Sequence, residues 1–301
     1  MLKAICLGRV KYDINLLVEN IPEEGSTQEF FEKTGCGGGL ASNVAVGLGK
    51  WGISCAISGV IGNDVYGNKI KEDFEKVHLD TRYLEPSYNN DTPLSAIIIN
   101  KASGKHTIYN MSDKYVSLKK CDFDFSPDII VVDGYDAVAS KNLLERFPHT
   151  ISILCTSIIT KETIDLCRKA KYVICSQEFA ENVAGIKIDF QNMKTLGEVY
   201  QKLKKRYLKT EFIITLGEKG TLYCVNNQIK VTPSLKVNVI DTHGSKDSFC
   251  IGFAYSIVND QDLEKAVKYG SIAGGLATTK VGARLAIPTL EDVKKIYEQN
   301  Y

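Results

Sequence analysis

The 301-residue chain lacks an excess of charge of either sign, because 37 lysines and arginines are balanced by 36 aspartates and glutamates. The formal net charge of +1 creates no global field that would favour nucleic acid or an acidic membrane surface, so we expect neither as a partner. The chain also lacks an apolar run of about 18 residues, the length that a membrane-spanning helix needs. Any site that binds an anion must therefore be local.

Paired cysteine motifs are missing as well. The nine cysteines include no CxxC pair and have no histidine at metal-ligand spacing, which argues against a zinc site. Most have apolar neighbours, as Cys6 has in Ile5 and Leu7, where a reduced thiol acts as a small hydrophobic side chain. We therefore expect a reducing compartment. Because the apolar run at the N-terminus is too short for a signal peptide, we expect that compartment to be the cytoplasm.

Short β-rich runs alternate with helical patterns, which predicts an α/β fold with a mostly parallel sheet flanked by helices. The predicted strands are 3–10, 54–61, 128–133, 151–155, 172–176 and 211–216, and a hairpin pairs 221–225 with 228–232. Two stretches, about 11–35 and 93–112, break the alternation and predict a small β-sheet lid over the carboxyl ends of the parallel strands. No linker appears, so we expect a single domain over 1–301.

A first glycine-rich segment, Gly37-Gly38-Gly39, precedes a helical pattern that contains Asn43. Glycines before a helix let a ligand approach the backbone, although a plain loop that needs positive φ angles would also use them. Within the helical pattern, residues 47–52 match the dinucleotide motif GxGxxG, so a dinucleotide-dependent oxidoreductase is a rival interpretation. That motif needs a strand before it, whereas here a helical run precedes it. A Walker phosphate loop is absent from the sequence.

A second segment, 239–254, has the pattern of a phosphate site. A β run ends, a polar turn containing Gly244 and Ser245 follows, and an apolar helix begins. The unpaired amides at such a helix start, together with the positive end of the helix dipole, form an anion site. Asp247 in this segment has two interpretations, a helix cap or a catalytic carboxylate.

Five segments occur in a fixed order along nearly the whole chain. They are Gly38-Gly39 with Asn43, Ala45 and Gly52; Gly62-Asn63-Asp64-Val65-Tyr66-Gly67; Thr215-Leu216-Gly217-Glu218-Lys219-Gly220; Asp241-Thr242-His243-Gly244-Ser245-Lys246-Asp247-Ser248-Phe249; and Val281-Gly282-Ala283 with Ile287-Pro288-Thr289. This set resembles the ribokinase-like, or PfkB, family of carbohydrate and nucleoside kinases. The resemblance implies one α/β domain with a β lid, ATP and Mg²⁺ as cofactors, and a small sugar or sugar-like substrate. A homodimer through the lid is a further expectation, since exposed lid strands offer edges for pairing.

The resemblance also implies roles for individual residues. Asp247 would take the proton from the substrate hydroxyl, and the backbone amides of Gly244, Ser245, Lys246 and Asp247 would hold the charge of the transferred phosphoryl group. On the substrate side, the implied residues are Asp13, Gly38, Gly39 and Asn43. Two alternatives remain open, an exposed strand carboxylate for Asp13 and a helix cap for Asn43.

On the nucleotide side, the turn that contains Thr215, Gly217, Lys219 and Gly220 resembles the segment that packs against the nucleotide. A plain surface turn explains Glu218-Lys219-Gly220 equally well. Glu178 aligns with the glutamate of the family's Asn-x-x-Glu motif, which organises magnesium through water. The Asn of that motif is Cys175 here, and sulfur is a poor partner for a hard cation.

The largest departure from the family pattern is Lys246, which stands where the family has glycine. The lysine either donates charge to the phosphoryl oxygens or obstructs the site, which would leave a non-catalytic or weakly active sugar-binding relative. We favour a kinase, because Asp247 is retained. Leu40 replaces a lysine found in relatives that phosphorylate sugar phosphates, which favours an unphosphorylated sugar or a nucleoside-like ligand. The family's lid arginine is replaced by Lys105 or His106.

Overall fold

The computed structural model describes residues 2–111, 116–118 and 122–301. In chain order, the strands are β1 (Lys3–Leu7), β2 (Lys11–Val18), β3 (Phe30–Gly38), β4 (Ser54–Gly62), β5 (Leu84–Ser87), β6 (Leu94–Asn100), β7 (His106–Asn110), β8 (Ile129–Val132), β9 (Ile151–Thr156), β10 (Tyr172–Ser176), β11 (Glu211–Thr215), β12 (Thr221–Val225) and β13 (Gln228–Thr232). The helices are α1 (Leu40–Lys50), α2 (Val65–Glu75), α3 (Ala137–Arg146), α4 (Lys161–Leu166), α5 (Gln177–Ala184), α6 (Lys194–Arg206), α7 (Ser245–Asp260), α8 (Leu263–Ala277) and α9 (Leu290–Asn300).

The main sheet has the strand order β13-β12-β11-β10-β9-β8-β1-β4-β5. From β5 to β11 all neighbours are parallel, and β12 and β13 add an antiparallel edge. The apolar runs are buried because helices cover both faces: α1, α7 and α8 pack on one face, and α3, α5 and α6 pack on the other. The predicted mostly parallel α/β fold is confirmed.

A smaller sheet has the order β3-β2-β6-β7 and is mixed, since β2 pairs parallel with β6 and antiparallel with β3. Both stretches predicted to leave the main sheet contribute to it. The predicted boundary at 35 falls short, because β3 continues to Gly38 and pairs there with Lys11. The other predicted boundary, 112, lies outside the described residues.

The two sheets meet at the carboxyl edge of the main sheet. The turn before β7 contacts the segment before α7, where the Gly104 carbonyl accepts hydrogen bonds from the Thr242 amide and hydroxyl, each at 3.0 Å. Val281, which follows α8, packs against a buried apolar cluster of the small sheet. The small sheet therefore lies beside the edge where α7 begins.

The GxGxxG match at 47–52 begins inside α1 and runs past its end, so the strand and turn that a dinucleotide site requires do not precede it. Gly47 serves helix packing instead, because a Cβ there would lie 2.2 Å from the Ile251 side chain of α7. Among the described residues, none of the helices combines the length and apolar character needed to cross a bilayer.

Candidate active site

Asp247 lies in the first turn of α7 and is partly buried. Its Oδ2 accepts a hydrogen bond from Asn43 Nδ2 at 2.7 Å. Neither residue is a helix cap, because α1 begins after Gly39 and α7 begins after Gly244. The cap alternatives for Asp247 and Asn43 are therefore wrong, and the two helix starts bring these side chains together.

Burial raises the pKa of Asp247, while the Asn43 hydrogen bond and the cations of Lys11 and Lys246 lower it. The nearby carboxylate of Asp13 adds to the rise. A carboxylate that has lost part of its hydration is a stronger base than an exposed one, and the Asn43 hydrogen bond favours its ionised form and orients it.

Asp13 projects from β2 and is 1% exposed, so the alternative of an exposed strand carboxylate is wrong. Its Oδ1 lies 2.9 Å from Lys11 Nζ, and its Oδ2 lies 4.0 Å from His243 Nε2. Lys11 also donates to Ser95 Oγ at 3.0 Å. The Asp13 carboxylate is thus ion-paired with a lysine that is itself mostly buried.

Gly38 and Gly39 allow the backbone to pass close to this cluster. A Cβ at Gly38 would lie 2.1 Å from Asp13 Oδ2. Gly39 has a φ of +95°, and a Cβ there would lie 2.0 Å from the carbonyl oxygen of Arg9. Both glycines are required by the close approach of β3 to Asp13 and of the start of α1 to Arg9.

The start of α7 is shaped by Gly244 and Ser245. Gly244 has a φ of +82°, and a Cβ there would lie 2.4 Å from Ala283. Among the described residues no side chain caps this end of α7. Ser245 Oγ donates to the Gly274 carbonyl of α8 at 3.0 Å, so its hydroxyl serves packing, and its backbone amide makes one long hydrogen bond of 3.4 Å to the Thr242 carbonyl.

The Lys246 side chain crosses the carboxyl edge of the sheet and hydrogen-bonds Ser157 Oγ, just beyond β9. Its charge also reaches Cys175 near the end of β10, because the ammonium lowers the pKa of that thiol while burial, the larger effect, raises it well above the usual range. The cation therefore lies beside Ser157, just beyond the end of β9.

The predicted nucleotide turn lies farther along the same edge. Thr215 ends β11 and donates its hydroxyl to the Cys175 carbonyl at 3.2 Å. Gly217 and Gly220 have φ angles of +60° and +100°, and a Cβ at Gly220 would lie 2.1 Å from the Thr232 carbonyl oxygen. Lys219 is exposed, with its Nζ 3.4 Å from Glu218 Oε1.

Glu178 is the second residue of α5 and follows the end of β10 by two positions. Its side chain is exposed. Within residues 2–111, 116–118 and 122–301, no group of three or more His, Cys, Asp or Glu side chains could hold a metal ion. The buried neutral thiol of Cys175 is not a ligand for a hard cation. In the described part of the chain, Glu178 is therefore an exposed carboxylate that belongs to no protein-built cage for Mg²⁺.

Sequence reasoning missed three polar residues beside these groups, Lys11, His243 and Arg284, and it named His106 only as one of two replacements for the family's lid arginine. Lys11 is two residues before Asp13, so the strand period of two places both side chains on one face. His106 and His243 bring the small sheet and the α7 loop together, with ring centroids 5.3 Å apart. Arg284 directly follows Val281-Gly282-Ala283, but nothing in the sequence signals that its guanidinium is buried.

Comparison with known proteins assigns the chain to a family. The model of the pfkB family carbohydrate kinases matches residues 1–290. The ribokinase of Staphylococcus aureus is 27% identical over 306 residues, which cover 98% of this chain and 99% of that protein.

Two solved structures share the fold. A putative ribokinase from Agrobacterium tumefaciens superposes with a TM-score of 0.88 at 22% identity, covering 99% of this chain and 97% of the other. The ribokinase of Arabidopsis thaliana in complex with ribose and ATP superposes with a TM-score of 0.76 at 18% identity, covering 98% of both chains. Because the family model covers almost all of the sequence, the chain belongs to the pfkB family of ATP-dependent carbohydrate kinases.

Proposed function

We propose that this kinase transfers the γ-phosphoryl group of ATP to a hydroxyl of a small unphosphorylated sugar or sugar-like substrate, with Asp247 as the general base. The observation that carries the proposal is the Asn43–Asp247 hydrogen bond of 2.7 Å, which joins the starts of α1 and α7 beside the buried Asp13. A base and a hydroxyl-binding carboxylate then lie at one helix N-terminus, where phosphate binds favourably.

The base acts on the sugar hydroxyl as the phosphoryl group arrives. Asp247 accepts the proton, so the oxygen that attacks phosphorus carries more negative charge. The amides of Gly244, Ser245, Lys246 and Asp247 donate hydrogen bonds to the phosphoryl oxygens and stabilise the charge of the transition state. The glycine cap supports this role, since it brings no side chain that would compete for those amides.

On the substrate side, Asp13 accepts hydrogen bonds from sugar hydroxyls, and Gly38, Gly39 and Asn43 line the same pocket. Two observations support an uncharged sugar. Leu40 supplies no cation after the paired glycines, and the charge of Lys11 is already balanced by Asp13 at 2.9 Å. The identity of the sugar is to be determined by experiment.

On the nucleotide side, we propose that Thr215, Gly217, Lys219 and Gly220 border ATP. The positive φ angles of the two glycines let this turn present backbone rather than side chains to the nucleotide. Mg²⁺ bound to ATP would supply charge neutralisation at the phosphates. Glu178 would contact its hydration shell through water, which fits an exposed carboxylate and the lack of a metal cage among the described residues.

Lys246 decides between the kinase and its alternative, a weakly active sugar-binding relative. Its ammonium is tied to Ser157, over the strand ends that the phosphates would approach. We propose that the amide of Lys246 serves the anion hole and that its side chain must move aside for the phosphates.

The chain forms one domain over 1–301 in this proposal, and the small sheet acts as a lid over the sugar. The Gly104–Thr242 contacts support a lid that meets the α7 loop. We also propose a homodimer through the lid, because β3 exposes Phe30 by 52% and Phe31 by 60%. Light scattering after size exclusion tests the dimer with Phe31→Glu, which we expect to be monomeric.

The proposed reaction is tested by measuring ADP release from Mg-ATP in the presence of a panel of pentoses, hexoses, deoxy sugars and nucleosides. We expect one class to stimulate release by far more than the others. Mass spectrometry of the stimulated reaction should find the sugar heavier by one phosphoryl group. ATP and sugar binding without any phosphorylated product would favour the non-catalytic alternative.

A further inference from the structure

Arg284 is a buried guanidinium that none of the roles above uses. It is 3% exposed and follows α8 in the tail that reaches back to α1. A buried charge is tolerated only where hydrogen bonds and opposite charges replace the lost hydration. The contacts of Arg284 therefore indicate what the residue holds in place.

The guanidinium reaches the first turn of α1. Its Nε donates to Asn43 Oδ1 at 3.0 Å, and its Nη2 donates to Ser42 Oγ. On its other side, Nη1 lies 3.7 Å from Asp73 Oδ2 of α2. The carbon of the guanidinium lies 5.3 Å from the centre of the Phe74 ring, within the range of a cation–π contact.

The contact with Asn43 sets the orientation of an amide that has two different ends. Its oxygen can only accept and its nitrogen can only donate. With the oxygen held by Arg284, the nitrogen faces Asp247, to which it donates at 2.7 Å. A flipped amide would place N–H groups against the guanidinium and a carbonyl oxygen against the carboxylate, and both contacts would be repulsive.

The backbone makes room for this arrangement at Gly37. A Cβ on Gly37 would lie 1.8 Å from Arg284 Nη1 and 2.4 Å from its central carbon. Each glycine of the 37–39 segment is therefore needed to avoid a different clash. A Cβ would meet Arg284 at Gly37, Asp13 at Gly38 and the Arg9 carbonyl at Gly39. The first of these depends on a residue about 250 positions away in the sequence.

From this geometry we infer that Arg284 is a positioning residue for phosphoryl transfer. It fixes the Asn43 amide so that Asn43 holds the Asp247 carboxylate in place to accept the proton of the sugar hydroxyl. The inference rests on the proposed function of Asp247 as the base. Arg284 itself contacts neither substrate nor the reacting atoms in this account.

Other charges surround the guanidinium. Burial lowers the pKa of Arg284, and four acidic groups partly offset the effect; they are Cys36, Asp73, Asp13 and Asp247. Lys50 is also nearby, and the Arg284 charge contributes to lowering its pKa. Loss of the charge and loss of the hydrogen bond must therefore be separated experimentally.

Two substitutions separate them. Arg284→Met removes charge and hydrogen bonds at similar volume, and Arg284→Lys keeps a charge but lacks the planar fork that bonds Asn43 and Ser42 together. We expect both to lower kcat by roughly tenfold to a hundredfold, the order of loss that misplacement of a reacting group causes. The KM for ATP should stay within about threefold of the parent value, since the nucleotide turn is untouched.

The pH profile is a readout that a purely structural role would not move. Without the Asn43 hydrogen bond the pKa of Asp247 rises, because that bond lowers it in the parent protein. The base must be ionised to act, so the acid limb of kcat/KM should move to higher pH in both variants. Asp73→Asn is the matched control, because it removes the longer 3.7 Å contact and leaves the Asn43 and Ser42 contacts intact. It should keep the parent profile.

A double-mutant cycle tests whether Arg284 acts through Asn43. In an Asn43→Ala background, adding Arg284→Met should change kcat by less than about threefold, because the amide that Arg284 orients is already gone. If Arg284→Met lowers kcat in that background by the same factor as in the parent protein, the inference is overturned. It is also overturned if folded Arg284→Met has the kcat and the pH profile of the parent. If Arg284→Met does not fold, as judged by circular dichroism, Arg284→Lys carries the same test.

Failure of the inference and failure of the proposed function have different signatures. If Asp247→Asn retains parent kcat, the base assignment is wrong and the role of Arg284 falls with it. If Asp247→Asn is inactive and both Arg284 variants are fully active, only the positioning role is wrong.

Discussion

The proposed sugar side and the proposed nucleotide side of the site are built in different ways. On the sugar side, side chains already contact one another, because Asp13 is ion-paired with Lys11 and Asn43 donates a hydrogen bond to Asp247. On the nucleotide side, the turn at 217–220 is shaped by glycines with positive φ angles, and Lys219 is exposed. In the proposed function, side chains therefore select the acceptor sugar, whereas backbone shape receives ATP.

The larger effect on ligand binding is expected from a substitution on the sugar side. Asp13→Ala removes a charged acceptor for substrate hydroxyls, a contact worth about 1.5 to 3 kcal/mol, so sugar affinity should fall by roughly tenfold or more. The affinity for ATP should be unchanged. Calorimetric titration with each ligand measures both, and an equal loss of the two affinities would contradict a separate sugar side.

A smaller effect is expected when the backbone of the nucleotide turn is changed. Gly220→Ala places a Cβ against the Thr232 carbonyl oxygen at a φ of +100°, so the turn must distort and the KM for ATP should rise by about fivefold. Glu218→Ala is the matched control, since it removes an exposed side chain of the same turn without touching the backbone, and we expect less than about a twofold change. A larger effect from Glu218→Ala than from Gly220→Ala would contradict the proposal that backbone shape receives the nucleotide.

Lys246 lies between the proposed sugar side and the proposed nucleotide side, so its substitution tests how the two work together. We expect Lys246→Gly to raise kcat/KM for ATP by about two- to threefold, because the anion hole is made of backbone amides and the lysine no longer has to be moved from Ser157. Steady-state kinetics with the best sugar of the panel measures this. A fall of about tenfold or more would make Lys246 a cation of the transition state.

The smallest effect concerns stability rather than turnover. Burial, helped by the charges of Lys11 and His106 and opposed by the carboxylate of Asp13, lowers the pKa of His243 to about 4. Between pH 6.5 and 4 the unfolded chain protonates this histidine while the folded chain does not, so stability falls as pH falls through that window.

The slope from one such group is at most about 1.4 kcal/mol per pH unit. His243→Gln should therefore flatten the pH dependence of the free energy of unfolding between pH 4 and 6.5, as measured by urea titration. His106 also has a lowered pKa from burial, so part of the slope should remain. An unchanged slope in His243→Gln would show that His243 is not kept neutral by the fold.

Much of the fold could be predicted from the sequence because its signals are local. The hairpin of β12 and β13 has the predicted bounds, and its turn residues Asn226 and Asn227 both have positive φ angles, which asparagine tolerates well. The apolar runs of the parallel strands were equally readable, since burial on both faces removes the alternation of polar residues.

The parts that were missed depend on partners distant in sequence. Strand β3 is mostly exposed and contains three glycines, so its composition indicates a loop; only pairing with β2 makes it a strand. Arg284 looks like a surface residue of the tail, and its burial is set by Ser42, Asn43 and Asp73, which lie on other helices. The candidate residues were identified by motif, but their contacts were not predictable from it.

The most direct test of the central claim, that Asp247 removes the proton of the sugar hydroxyl, is single-turnover phosphoryl transfer by Asp247→Asn under conditions where calorimetry shows both ligands bound. Asp262→Asn is the matched control, since Asp262 also lies at a helix start but caps the Lys265 amide of α8 instead of facing Asn43. We expect Asp247→Asn to bind sugar and ATP but to transfer phosphate about a hundredfold more slowly or worse, while Asp262→Asn is unchanged. Transfer at the parent rate by Asp247→Asn would show that Asp247 is not the base.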